Sequence, residues 1–233
     1  MITLFPDIET RMFLQTCIVQ KASSWYNCLR GYANHTRGAA MSLPHRKEGE
    51  LFTYGDYLEW NDDERWELIN GVPYNMTPAP SVNHQLITGE LYRQFANHLL
   101  GKNCKALIAP FDVRLPENNE KDEEIITVVQ PDLSVVCDPA MLDERGCRGG
   151  PDLVVEILSP STAKKDVTLK LTCYERAGVK ECWIVHPGEK MVMIYRREES
   201  GKFGRHAVYS SEDEIHVEFL DDLVINLDTV FSA

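Results

Sequence analysis

No apolar run in this sequence approaches the roughly 18 residues needed for a bilayer-spanning helix, so no membrane partner is expected. The stretch "MFLQTCIVQ" is short and is followed by no small-residue cleavage pattern, so a signal peptide is not expected either. There is no CxxC pair, and the seven cysteines are an odd number. Neither a disulfide framework nor a zinc site is expected from that usage, and a reducing, cytoplasmic compartment follows. Basic charge is scarce, with a net charge of −12. That counts against a general nucleic-acid coat, which holds phosphates with Lys and Arg patches. A nuclease stays open, because metal-binding carboxylates add negative charge of their own. Repeats, low-complexity tracts and a serine-nucleophile elbow are also missing.

What is there suits one substantial globular domain: 233 residues, 43% hydrophobic and 26% charged. Residues 1–40 stand apart. Asp7 and Glu9 face Arg11, Lys21, Arg30 and Arg37, giving about +2 and leaving about −14 for the remainder. This segment has no sustained period of two or 3.6. The expected folded domain is therefore 41–233, with 1–40 as an extension that is disordered or not part of the native domain.

From Met41 the pattern tightens. A short helix is expected around Tyr54–Trp60, then a hairpin of "RWELI" and "VPYNM" turning at Asn70-Gly71. Residues 84–100 predict a helix with Ile87, Leu91, Phe95 and Leu99 on one face, Asn83 as N-cap and Gly101 as its stop. Strands follow at 104–115, 127–137 and 152–158, with "ENNEKDEE" as a solvated hairpin loop between the first two. A helix over 162–177 is opened by Ser161 or Thr162 and closed by Gly178; "ECWIVHP", "KMVMIYRRE" and "GRHAVYS" are further strands. The order from residue 84 is α-β-β-β-α-β plus trailing strands, an α/β sandwich around a mixed sheet.

Chemistry concentrates on two strands that begin alike, "PDLSVVC" at 131 and "PDLVVEI" at 151. Glu156 sits in an apolar run, where an ionised carboxylate needs compensation. Paired antiparallel in the symmetric register, positions add to 288 and Asp132 faces Glu156. Opposed Cβ atoms lie about 5 Å apart, close enough for two carboxylates to share a divalent cation with water and phosphate oxygens. Asp152 is roughly 13 Å along the strand from Glu156 and reads as turn chemistry. On a helical wheel Ala163, Val167, Leu171, Tyr174 and Ala177 mark a buried arc, and Lys170 falls near its centre, where a solvated charge does not belong. The alternative is an i,i+4 Asp166–Lys170 pair. About 10 Å of strand and about 12 Å of helix bring Lys170 level with Glu156. Two carboxylates and a lysine at a strand–helix junction suggest metal-assisted phosphodiester hydrolysis.

"QPDLSVVCD", "PDLVVEILSPST", "KKDVTLKLTCYERAGVKECWIVHP" and "SLPHRKEGELFTYGDYLEW" together resemble the Uma-type restriction endonuclease family, a branch of the PD-(D/E)XK superfamily, over about residues 41–233. The resemblance implies a restriction-endonuclease-like fold with an α-β-β-β-α-β core, Mg²⁺ (Mn²⁺ as a substitute) held by Asp132 and Glu156, and nucleic acid, DNA first, as substrate. A homodimer is within the same expectation. The superfamily's usual lysine two residues after the acidic one is replaced here by Leu158, and the resemblance maps a migrated lysine onto Lys170. His84 resembles a family position near the site; a helix-start His is otherwise a cap or packing residue. Glu67 lines the cleft or is a solvated hairpin carboxylate, and Asp112 approaches the metal or faces solvent. A nuclease-derived binding module without turnover is the alternative reading.

Overall fold

The computed structural model describes residues 51–60, 64–76, 79–159, 166–220 and 223–232. The expected boundary at Met41, the extension before it and the helix caps at Ser161 or Thr162 lie outside the described residues. Helix α1 (Tyr54–Glu59) opens on a capping box in which Thr53 and Asp56 satisfy each other's backbone N–H. The hairpin of β1 (Trp66–Ile69) and β2 (Val72–Asn75) turns at Asn70 and Gly71, both at positive φ, as Asn-Gly between apolar runs requires. Helix α2 (Val82–Leu99) starts two residues earlier than its apolar period suggests, because Ser81 and not Asn83 is the N-cap and accepts the His84 N–H. It ends before Gly101, which has φ +77°.

Two of the expected strands are each broken in two. The 104–115 segment gives β3 (Lys105–Ile108) and β4 (Val113–Arg114), separated at Pro110. The 127–137 segment gives β5 (Val128–Val129) and β6 (Leu133–Val136), separated at Pro131. Proline has no N–H for a ladder, and at both breaks the chain passes from one sheet to another. The 138–150 connection contains an unexpected hairpin, β7 (Leu142–Asp143) and β8 (Gly146–Arg148). The remaining elements are β9 (Leu153–Ile157), a π-helical turn over Asp166–Lys170 leading into α3 (Leu171–Ala177), β10 (Glu181–His186), β11 (Met191–Arg196), β12 (Ala207–Ser210), β13 (Glu214–His216), β14 (Val224–Asn226) and an unexpected α4 (Leu227–Ser232).

The central mixed sheet has the order β12-β11-β10-β9-β6-β3, with β9 and β10 parallel and the other neighbours antiparallel. It therefore contains the expected α-β-β-β-α-β core. Between β6 and β9 the pairs are Leu133–Val155, Ser134–Val154 and Val135–Leu153, each adding to 288 as the symmetric register requires. One face of this sheet packs Leu133, Val155, Ile157 and Trp183 under Ile87, Leu91, Phe95 and Leu99 of α2. The other face packs Val136, Val154 and Ile184 against Cys173 and Tyr174 of α3 and against Val113 and Cys147 of the second sheet, whose order is β2-β1-β5-β4-β8-β7. Burial of aliphatic side chains on both faces, each contributing about 1.5–3 kcal/mol, fixes the central strands. No helix among the described residues is long and apolar enough to cross a membrane.

Two expectations are corrected here. Cys104 and Cys137 form a disulfide. They stand opposite each other one step beyond the Lys105–Val136 pair, a cross-strand relation that spacing in sequence does not reveal; the compartment inferred from absent disulfides loses that support. The acidic loop is also more than a solvated turn. Its Asp122 pairs with Arg114, which is fully buried and also reaches Asp143 Oδ2 at 2.6 Å, and with Arg148 Nε at 2.7 Å. Burying an arginine requires such partners.

Candidate active site

Asp132 lies where the chain leaves Pro131 to begin β6, and Glu156 lies on β9 one register step beyond the Leu133–Val155 pair. The two strand positions are thus opposed as expected. Asp132 Oδ2 accepts the Ile157 N–H at 2.7 Å, which ties its carboxylate to the neighbouring strand. Glu156 is 3% exposed. Its Oε1 meets Lys170 Nζ at 2.5 Å and accepts the Tyr174 hydroxyl. Compensation for this buried carboxylate therefore comes from the chain itself. Burial holds the Tyr174 phenol well above its ordinary value, with the Glu156 charge adding to the effect, so it is a neutral donor.

Lys170, 2% exposed, closes the π-helical turn before α3. Its ammonium also meets Glu67 Oε1 at 2.9 Å. The alternative pairing with Asp166 involves a side chain outside the described residues, but Lys170 itself points inward to two carboxylates. Glu67 is fully buried and accepts the Gln130 N–H at 2.9 Å, so it is not a solvated hairpin residue. His84 in the first turn of α2 is buried and places Nε2 3.3 Å from Asp132 Oδ2. A hydrogen on Nε2, in that tautomer or in the imidazolium, suits the contact. The Thr88 hydroxyl donates to the His84 carbonyl at 2.8 Å and neighbours its Nδ1 at 3.4 Å.

Asp132, Glu156, Lys170, Glu67 and His84 all line one cleft of about 1140 Å³, bounded by the β1–β2 hairpin, the start of α2 and the turn at Pro187. Asp112 does not line it. It stands behind Gln130, whose side-chain N–H donates to Asp112 Oδ1 at 2.8 Å, and burial raises its carboxyl above the usual value. The sequence reading misses Gln130, Arg65 and the role of Tyr174. For Tyr174 a signal exists, since it follows Lys170 at i+4 and shares its helix face.

A divalent cation fits this donor set. Asp132 and Glu156 offer hard carboxylate oxygens from opposed strand positions, and the Asp132 side chain is 21% exposed to the cleft. Three carboxylates (Glu67, Asp132, Glu156) line the cleft, and the Lys170 ammonium meets two of them, Glu67 and Glu156, so negative charge is in excess over that one ammonium. Among the described residues no three His, Cys, Asp or Glu side chains form a ready metal cluster. The remaining ligands would be water and substrate oxygens, which is how Mg²⁺ is commonly held.

Comparison with known proteins agrees with this architecture. The chain is 30% identical over 149 residues to "Uncharacterized protein slr1290" of Synechocystis sp. (strain ATCC 27184 / PCC 6803 / Kazusa), a match covering 63% of this chain and 74% of that protein. Its fold is similar to the crystal structure of a "putative nuclease belonging to DUF820" from Anabaena variabilis ATCC 29413, with a TM-score of 0.62 at 20% identity over 78% of this chain and 98% of the other. Residues 54–228, spanning α1 to the start of α4 and every residue of the cleft described above, match the model of the Uma2 family, "Putative restriction endonuclease", and the chain belongs to that family.

Proposed function

We propose that this chain hydrolyses phosphodiester bonds of nucleic acid, DNA in the first instance, with Mg²⁺ or Mn²⁺ held by Asp132 and Glu156. One observation carries the reading: Asp132, Glu156 and Lys170, from three separate elements, meet in one cleft with Lys170 Nζ 2.5 Å from Glu156 Oε1. The description of the family supports the same chemistry. A bound divalent cation would polarise a phosphoryl oxygen and acidify a water molecule.

The chain's own residues supply position and charge. Lys170 and Tyr174 converge on one oxygen of Glu156, which holds that carboxylate in a single orientation. The Ile157 N–H and His84 do the same for Asp132. Glu67 anchors the far side of the Lys170 ammonium, so the positive charge stays aimed at the cleft. There it can orient a water molecule and offset negative charge growing on a phosphate in the transition state. Leu158, two residues after Glu156, lines the cleft but carries no charge; the ammonium reaches the same carboxylate from the helix side.

The test is cleavage of labelled single- and double-stranded DNA and RNA by the full chain, with and without Mg²⁺ or Mn²⁺. Metal-dependent cleavage is expected, with loss in Asp132→Asn and in Glu156→Gln. Failure to cut any of the four substrates with either cation overturns the reading. Binding without cleavage would identify a module that only binds.

A further inference from the structure

Two cationic side chains line the cleft among the described residues, Arg65 and Lys170. Lys170 is committed to Glu67 and Glu156. Arg65 is not committed to any carboxylate among the described residues. Its Nη2 donates to Gln130 Oε1 at 2.7 Å, while its Nε is buried without a hydrogen-bond partner. We propose that Arg65 receives a phosphate of the substrate strand adjoining the cleaved one, and that Gln130 and Asp112 hold it ready. The inference rests on the nucleic-acid reading above and assigns that site its strand-binding residue.

The relay is directional. Gln130, only 6% exposed, gives its side-chain N–H to Asp112 Oδ1 at 2.8 Å and so turns its oxygen toward the guanidinium. A guanidinium is only a donor and an ionised carboxylate only an acceptor, so no other orientation of the amide satisfies both. Arg65 is thereby aimed by a neutral group that orients it without cancelling its charge. Asp112 supplies the orienting charge from one residue further back. This suits capture of an anion, because the guanidinium N–H groups that Gln130 leaves unused can take phosphate oxygens in pairs.

Placement agrees. Arg65 stands two residues before Glu67 on the same extended segment, so the two side chains share a face about 7 Å apart. Its carbonyl accepts the Met76 N–H at 2.8 Å, which continues the hairpin ladder past the last strand pair and makes its backbone rigid. A strand with one phosphate beside Asp132, Glu156 and Lys170 would lay the next toward Arg65. Lys170 is held by two of the three carboxylates of the cleft, which leaves Arg65 as the cleft cation bonded to a neutral group.

The experiment measures fluorescence-anisotropy binding of short labelled DNA and RNA strands to the full chain in chelator. Each phosphodiester is replaced in turn by a neutral methylphosphonate. In the wild type, one position should lose affinity. Arg65→Met should bind roughly ten- to a hundredfold more weakly, lower the salt slope by about 0.7 and become insensitive to that position. Arg65→Lys should restore the slope without the full affinity, since the fork is lost; it also serves as the reading if Arg65→Met melts early. Gln130→Met should fall between wild type and Arg65→Met. A folded Arg65→Met or Arg65→Lys with the wild-type affinity, slope and methylphosphonate profile overturns the proposal, as does a wild type that binds no strand. Cleavage with an unchanged Arg65→Met profile removes the phosphate assignment and leaves hydrolysis standing. Binding that depends on Arg65 without cleavage does the reverse.

Discussion

Lys170 Nζ lies 2.5 Å from Glu156 Oε1, joining the turn that leads into α3 to the middle of β9. The same ammonium touches Glu67 Oε1 at 2.9 Å, so one buried cation serves two carboxylates that are at most 3% exposed. This contact binds three elements at the cleft and has consequences for both stability and chemistry.

Lys170→Met keeps the length of the side chain but strands two carboxylates. Removing one partner of a buried pair costs about 3–5 kcal/mol, and a loss of that size is expected in the unfolding free energy from urea denaturation at neutral pH. Glu67→Gln added to Lys170→Met should recover part of it, because only one buried charge then remains. A loss below about 1 kcal/mol on the same scale would show that the bridge contributes little to the fold. Cleavage by a folded Lys170→Met at the wild-type rate would remove the lysine from the mechanism.

Tyr174→Phe deletes one hydroxyl and preserves the ring that packs between α3 and the central sheet. Hydrogen bonds to charged groups contribute about 1.5–3 kcal/mol, and a destabilisation in that range is expected in metal-free buffer. Glu156 also loses a donor that helps fix its orientation, so a fall in cleavage rate should accompany it. An unchanged melting temperature would show that the hydroxyl contact has no energetic weight.

Mg²⁺ or Mn²⁺ should raise the melting temperature of the wild type with increasing concentration. Binding to the native state alone stabilises by about 2.7 kcal/mol at a hundred times the dissociation constant. Asp132→Asn should lose that response and stay folded, since an amide oxygen can still accept the Ile157 N–H. Chelator should return the wild type to its original melting temperature. Equal cation response in wild type and Asp132→Asn places the ion elsewhere.

Asp112 gives a pH signature. Burial raises its carboxyl above the ordinary 3.8, so the folded chain holds this proton more tightly than the unfolded chain does. Stability from this group is present below the unfolded pKa and is lost as pH rises through the folded one. Asp112→Asn removes the titration while keeping an oxygen for Gln130. The wild-type stability minus that of the variant should therefore decline from about pH 4 upward and level off above the raised pKa. A difference that rises with pH would mean that folding favours ionisation of this carboxyl and does not oppose it.

The Asn70-Gly71 hairpin, the apolar face of α2, the order of the core elements and the β6–β9 register are all legible in local pattern. Turn chemistry and hydrophobic period act within a few residues, and two strands that begin alike favour a symmetric pairing. Lys170 is legible for a related reason: a charge on an apolar helical arc needs a partner wherever the helix packs. The sequence alone thus determines which elements form the core and three of the side chains in the cleft.

Tertiary structure decides the rest. The breaks at Pro110 and Pro131 look like pauses within single strands until the second sheet takes up one half of each, β4 and β5. Glu67 looks solvated until Gln130, 63 residues away, covers it with a backbone N–H. The Cys104–Cys137 disulfide and the Arg65–Gln130–Asp112 relay likewise join residues remote in sequence. Each depends on which strands remote in sequence pair, or on where one sheet lies against the other. That placement is set by burial summed over dozens of side chains, which no local spacing records.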